Sequence, residues 1–334
     1  MEHRPLGRSG LRPSALGLGA LHFGVFLDRA ASVRLVHKAL DAGVTLIDTA
    51  PMYGQGRSEA FVGKAVRGRR GDVIIATKVG LEPSPRQDGS MGVRVVPLSR
   101  ERIRLSLERS LKDLGTDYVD LFQIHAFDEH TPVEETLGAL EELIREGKIR
   151  FAGCSNFSDI ELDRSMAVAR RMGVAGYASA QCHYNMIERR AGEALASPCR
   201  DHGVGIMCNR ALARGILTGK YKPGHPIPEG SRAATSDRVR RWLDDSTLQL
   251  IDALVSFAAD RGRTATELAI AWLLAQDNVS TVLVGTRGPE QLEHCVAGSA
   301  WRPSSEEISE IDSIINGMGL MPQVRSLPPD FLEK

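Results

Sequence analysis

Four residues of this chain carry side chains that hold or move protons, and each stands at or just beyond the end of a short apolar run. Asp48 follows Leu46-Ile47, Tyr53 lies in the loop after it, Lys78 follows Ala76-Thr77, and His125 follows Gln123-Ile124. If the runs are parallel strands of one sheet, the four groups open onto the same rim. A carboxylate, a phenol, an ammonium and an imidazole gathered there suit acid–base chemistry on a carbonyl or an alcohol. Taken singly they mean less, because a strand-end Asp commonly caps a helix and a lone His commonly packs as a structural group. Asp48 and His125 alone would equally serve a hydrolase or an isomerase that binds no dinucleotide.

The runs that must position these groups fall at 16–20, 44–48, 73–77, 118–124, 149–154, 178–182, 204–207 and 279–284. Each is nearly continuous in apolar character, as expected of parallel strands buried on both faces. Helix-period segments lie between them. Residues 99–114 set Ile103, Leu107, Ser110 and Leu114 along one stripe behind Ser99 as a start. Residues 132–146 carry Val133, Leu137, Leu140 and Ile144 after Thr131-Pro132, which suits an N-cap followed by proline at the first helical position. No linker or composition shift divides the chain. The alternation therefore predicts an α/β fold, a (β/α)8 TIM barrel forming one domain over residues 1–318, with a C-terminal tail at 319–334. Residues 6–11 predict an N-terminal β-hairpin that plugs the barrel floor. Two insertions, 81–98 and 221–245, predict long loops at the C-terminal face.

Charge and composition narrow the partners. Among 334 residues, 42 Lys and Arg balance 42 Asp and Glu, leaving no excess positive charge for a phosphate backbone or an anionic bilayer. No apolar run approaches the roughly 18 residues of a membrane span, and no apolar signal segment follows Met1. A cytoplasmic protein acting on a small molecule is expected, with no nucleic-acid or membrane partner. The five cysteines form no C-x-x-C pair and the nine histidines are scattered, so no metal is expected. Gly17-Leu18-Gly19 lacks the third glycine of a dinucleotide fingerprint, because His22 stands there. Gly153-Cys154-Ser155-Asn156-Phe157 ends in Phe where a nucleophile elbow needs glycine.

These residues resemble the aldo-keto reductases, particularly the branch that includes potassium-channel β subunits and bacterial reductases. The resemblance extends to residue 318. It rests on Leu46-Ile47-Asp48-Thr49-Ala50 with Tyr53-Gly54, Thr77-Lys78, Ile124-His125, Gly153-Cys154-Ser155-Asn156, Gly215-Ile216-Leu217-Thr218-Gly219-Lys220 and Val284-Gly285-Thr286-Arg287. It implies a barrel that binds NADPH without a Rossmann domain and reduces an aldehyde, ketone or sugar-like carbonyl to an alcohol. Tyr53 is then the general acid and Lys78 lowers its pKa, Asp48 pairs with Lys78, and His125 aligns the substrate oxygen.

The resemblance also implies the cofactor contacts. Ser155, Asn156 and Gln181 hold the nicotinamide carboxamide. Arg214, Lys220 and Arg232 lie in the loop over the pyrophosphate. Gly285 and Arg287 meet the adenosine phosphate, where a guanidinium favours NADPH over NADH. Ala20, Leu21, Asp48, Asn209, Arg210, Leu212 and Gln291 complete the set. The chain departs from the family at Asn209, where relatives stack an aromatic ring on nicotinamide, and at His294-Cys295, where relatives use Glu-Asn on adenine. The alternative is a non-catalytic NADPH-binding regulatory subunit; relatives specialised for binding often lack the histidine that stands here as His125. The sequence leaves oligomeric state open, a homo-oligomer included.

Overall fold

Short apolar strands cannot bury both faces unless helices cover the outside and side chains fill the inside. The computed structural model, which describes residues 1–85 and 91–317, meets this requirement by closing the sheet on itself. Strands β1 (Leu16–Gly19), β2 (Leu46–Asp48) and β3 (Ile74–Val79) precede a two-stranded hairpin, β4 (Leu81–Pro85) and β5 (Met91–Val95). There follow β6 (Val119–Ile124), β7 (Ile149–Ser155), β8 (Tyr177–His183), β9 (Gly205–Asn209) and β10 (Val279–Val284). Eight of them pair in parallel in the order β1-β10-β9-β8-β7-β6-β3-β2, and β1 returns to β2 through Gly17–Leu46 and Leu18–Ile47. The fold is a (β/α)8 TIM barrel.

Helices α1 (Arg29–Asp41), α2 (Arg57–Ala65), α3 (Arg100–Leu114), α4 (Val133–Arg145), α5 (Asp159–Met172) and α6 (Arg190–His202) lie in the first part of the chain. They are followed by α7 (Arg232–Thr235), α8 (Asp237–Arg240), α9 (Asp245–Ala259), α10 (Ala265–Leu274), α11 (Pro289–Ala300) and α12 (Ser305–Gly317). The stripe read from sequence on α3 is the buried one: Ile103, Leu107, Ser110 and Leu114 all face the barrel. Ser99 caps α3 by accepting the Arg102 N–H, satisfying one of the donors that every helix start leaves open. α4 differs from the expectation. Pro132 itself is the N-cap, without a side-chain bond, and the Thr131 hydroxyl donates to Asp128 Oδ2 at 2.5 Å instead.

The barrel floor is closed by the N-terminal hairpin, whose arms exchange Leu6 N–H to the Leu11 carbonyl at 2.8 Å and Arg4 N–H to the Pro13 carbonyl at 3.0 Å. Leu6 and Leu11 pack inward against Leu46, Ala76, Leu121, Met207 and Leu283. Apolar burial thus fills the lower barrel and leaves the upper end for polar side chains. The insertion at 81–98 is not a plain loop: Leu81 pairs with Val95 and Pro83 with Val93 in an antiparallel ribbon. The insertion at 221–245 holds α7 and α8. The tail expected at 319–334 and residues 86–90 of the first insertion lie outside the described residues. No helix among the described residues is long and apolar enough to cross a membrane.

Candidate active site

Asp48 ends β2, Lys78 is the penultimate residue of β3, and His125 directly follows β6. Tyr53 enters from a 3₁₀ turn, Tyr53–Gly56, where φ is positive at Gly54, Gln55 and Gly56. Glycine is required at 54. Its φ is +58°, and a Cβ there would lie 2.1 Å from the Phe23 carbonyl oxygen, so the turn packs backbone to backbone on the loop after β1 and sets where Tyr53 emerges.

The structure brings the four sequence-predicted residues together. Lys78, with no exposed surface, donates to Asp48 Oδ2 at 2.6 Å, to the Thr49 carbonyl at 3.0 Å and to Tyr53 OH at 3.3 Å. All three protons of the ammonium are used. Burial by itself would pull Lys78 down, but the charge of Asp48 and the phenol of Tyr53 outweigh it and hold the ammonium above its ordinary range. For Tyr53 the balance runs against the sequence expectation. Burial pushes the phenol up, the downward pull of Lys78 is smaller, and Asp48 adds to the rise, so the resting side chain keeps its proton. The His125 ring stands edge-on to Tyr53, 6.0 Å between centroids. Burial, with the Lys78 charge beside it, holds His125 well below the ordinary imidazole value, and it is neutral at pH 7.

The second oxygen of Asp48 faces amides. Oδ1 accepts from Gln123 Nε2 and from Gln181 Nε2, each at 3.0 Å. Gln181 Nε2 also reaches Gln123 Oε1 at 3.2 Å, and Gln181 Oε1 accepts from Asn209 Nδ2 at 3.1 Å. Asn156, with φ +58°, donates from its amide to the His125 carbonyl at 2.8 Å and to Ser155 Oγ at 3.0 Å. Gln123 was not among the sequence candidates. Its signal was a lone primary amide inside the otherwise nearly continuous apolar run at 118–124.

At the rim, the Arg287 guanidinium lies 3.7 Å over the Phe26 ring and donates to the Gly230 carbonyl at 3.2 Å. Gln291 Oε1 accepts the Arg287 backbone N–H at 2.8 Å. Arg232 is close enough that burial and the Arg287 charge both depress it. His22 is lowered to about 4 by burial, then by Arg232 and Arg287. Among the described residues the Arg232 guanidinium has no hydrogen-bond or ion-pair partner. The two guanidiniums therefore leave a positive field at this part of the rim.

The remaining cofactor candidates lie on the segments that follow β1, β9 and β10. Ala20 is buried, with its carbonyl accepting from Ser58 Oγ at 2.9 Å, and Leu21 is exposed. Arg210 and Arg214 have left-handed backbones, φ +56° and +57°. The Arg210 carbonyl accepts from Asn185 Nδ2 at 3.0 Å, and Arg214 stands 3.7 Å from Glu188. Leu212 is half-buried beside them. The Lys220 ammonium sits 5.3 Å over the Tyr221 ring, and Gly285 packs beside the His22 ring. Of the two departures, Cys295 is a core residue and His294 faces Glu267 at 3.6 Å. Asn209 is tied into the amide chain rather than standing open. Among the described residues no group of His, Cys, Asp and Glu could hold a metal ion.

Residues 15–316 match the model of the Aldo/keto reductase family. The chain is 35% identical over 323 residues to the aldo-keto reductase YhdN of Bacillus subtilis (strain 168), covering 94% of both chains. It is 37% identical over 300 residues to a probable voltage-gated potassium channel subunit beta of Oryza sativa subsp. japonica, covering 87% of this chain and 89% of that one. Its structure matches that of a glycerol dehydrogenase from Gluconobacter oxydans with a TM-score of 0.83 and 30% identity, covering 99% of both.

Proposed function

The chain belongs to the aldo/keto reductase family of oxidoreductases, and from that premise we propose that it reduces an aldehyde, ketone or sugar-like carbonyl with NADPH, Tyr53 serving as general acid. The observation that carries this reading is the buried Lys78 ammonium, shared between Asp48 Oδ2 and Tyr53 OH. The nicotinamide, when bound, supplies the hydride. Hydride addition leaves negative charge on the carbonyl oxygen, which needs a proton and a positive field at that atom. Tyr53 donates its phenolic proton there, and the phenolate left behind faces the Lys78 ammonium. Lys78 thus lowers the energy of the state after proton transfer, while burial keeps the resting phenol protonated. Asp48 holds Lys78 in place, and neutral His125 supplies an N–H to orient the carbonyl oxygen.

The residues fit the cofactor. The positive field at Arg232 and Arg287 suits the adenosine phosphate that distinguishes NADPH from NADH, and Ser155 and Asn156 offer polar groups for the carboxamide. The intact set of Asp48, Tyr53, Lys78 and His125 favours an enzyme over a purely regulatory NADPH-binding subunit. The test is loss of nicotinamide absorbance with NADPH and a panel of aldehydes, ketones and ketosugars, comparing wild type with Tyr53→Phe. General acid catalysis contributes roughly 10² to 10⁴ in rate, so the variant should lose at least a hundredfold in kcat while binding NADPH with near-native affinity. A Tyr53→Phe enzyme keeping more than half its kcat would sink the assignment.

A further inference from the structure

We propose that Gln123 is a positioning residue, holding the second oxygen of Asp48 at the head of an amide chain that runs from Asp48 to Asn209; the proposal rests on the reductase reading of this site. Gln123 has no exposed surface. It is in register with Lys78 across β3 and β6, so both side chains project into the barrel. Its neighbour on the other side is Gly153. A Cβ at 153 would lie 3.2 Å from Gln123 Cγ and 2.4 Å from Ser179 Oγ, so the absence of a side chain there makes room for the amide.

A buried primary amide is tolerated when both its ends are bonded. Here the Nε2 end donates to Asp48 Oδ1 and the Oε1 end accepts from Gln181. The carboxylate can only accept, so Gln123 and Gln181 must both present N–H groups to it. Gln181 then turns its carbonyl toward Asn209, and Asn209 answers with Nδ2. Asn209 Oδ1 is left buried with no partner among the described residues. Reversing Gln181 or Asn209 alone would set two acceptors face to face, and reversing both would aim the Gln181 carbonyl at Asp48. The orphaned carbonyl is therefore the end of a chain whose direction Asp48 dictates.

The consequence is a division of labour on one carboxylate. Oδ2 belongs to Lys78, and Oδ1 is pinned by two amides. Without Gln123, one donor to Oδ1 disappears and Gln181 loses one of its two acceptors, so the carboxylate can rotate. Lys78 then moves relative to Tyr53 OH, and a misplacement of about 1 Å at such a distance costs up to ~10² in rate.

The experiment compares wild type, Gln123→Met, Gln123→Glu and Tyr53→Phe on one carbonyl that wild type reduces, recording kcat, KM, NADPH affinity by fluorescence quenching and thermal midpoint over about pH 5 to 9. Gln123→Met should lose roughly tenfold in kcat at every pH, with NADPH affinity changed by less than about twofold, because the residue acts through geometry rather than contact. Gln123→Glu should behave as a switch. When protonated, the new carboxyl donates to Asp48 as the amide did, and kcat returns to within about threefold of wild type; two carboxylates sharing a site raise one pKa, so kcat then falls as pH rises through that value. Wild type, with an amide at this position, should show no such descending limb over this range.

A folded Gln123→Met enzyme with more than half the wild-type kcat overturns the proposal, as does a Gln123→Glu profile parallel to wild type. If Gln123→Glu does not fold, the Met variant decides. Loss of activity in Tyr53→Phe with a near-native Gln123→Met overturns the inference alone. Retained activity in Tyr53→Phe overturns the reductase reading and the inference with it.

Discussion

Lys78→Met removes the cation from the centre of the site while keeping most of the apolar stem. Asp48 then keeps two amide donors on Oδ1 but faces no cation at Oδ2, and its side chain is only 5% exposed. Removing one member of a buried ion pair costs about 3–5 kcal/mol, because the other charge stays buried and unpaired. Unfolding entropy of about 2.1 cal/mol/K per residue, over 334 residues, gives about 0.7 kcal/mol/K, so the midpoint should fall roughly 4–7 °C. Adding Asp48→Asn removes the stranded charge and keeps an acceptor for Gln123 and Gln181. That double variant should recover about 2 kcal/mol or more of the loss while remaining inactive. Denaturant unfolding of the three proteins, with NADPH consumption in parallel, measures both effects. A single variant within about 1 kcal/mol of wild type, or a double variant no more stable than the single, would refute the picture of a coupled buried pair. The pH dependence has a defined sign. Lys78 has a folded pKa above its ordinary 10.5, so its stabilisation is complete below that value and is lost only as pH rises through the folded value.

Arg287→Ala should weaken NADPH by about tenfold or more relative to NADH, since charged hydrogen bonds are worth ~1.5–3 kcal/mol and only NADPH carries the extra phosphate; equal losses in fluorescence titrations would place Arg287 elsewhere. Gly54→Ala forces a side chain into a left-handed backbone, at about 1–2 kcal/mol, and against the Phe23 carbonyl, so kcat should drop with the displacement of Tyr53, and a variant with native kcat and native thermal midpoint would show the turn to be dispensable. Acid should destabilise the fold through its buried neutral histidines. His22 is held at about 4 against an unfolded value near 6.5, so the unfolded chain takes the proton first and stability falls by ~3 kcal/mol between these pH values, at about 1.4 kcal/mol per unit. His125 adds to the fall. Denaturant midpoints at about pH 7 and 4.5 should therefore diverge less in His22→Asn than in wild type; equal divergence would exclude His22 as a source.

Much of the architecture could be read along the chain because its signals are local. Apolar runs separated by helical stripes announce alternating strands and helices, and the stripe on α3 named its buried face residue by residue. The barrel ends of these runs also named Asp48, Lys78 and His125. Register and hairpin pairing were not readable in the insertion at 81–98, expected as a long loop, because cross-strand partners decide the outcome. Thr131 was misread because its hydroxyl donates to Asp128 Oδ2, three residues earlier, and accepts the Leu98 N–H from the first insertion at 3.1 Å instead of capping α4.

The sequence by itself determined the residue types of the site, the order in which the strands deliver them and the identity of the cations near the rim, since all of these are written in position along one chain. The tertiary structure decided the energetics. Whether Lys78 lowers Tyr53 on balance depends on how deeply the phenol is buried, and burial is a property of everything packed around it. Gln123 became part of the site because strand register sets it beside Lys78 and Gly153 leaves it room. Arg232 and Arg287 came within each other's field because two segments distant in sequence meet there. Each of these depends on the arrangement of residues far apart in sequence, and a Coulomb field or a hydrogen bond responds to that geometry and to the burial around it.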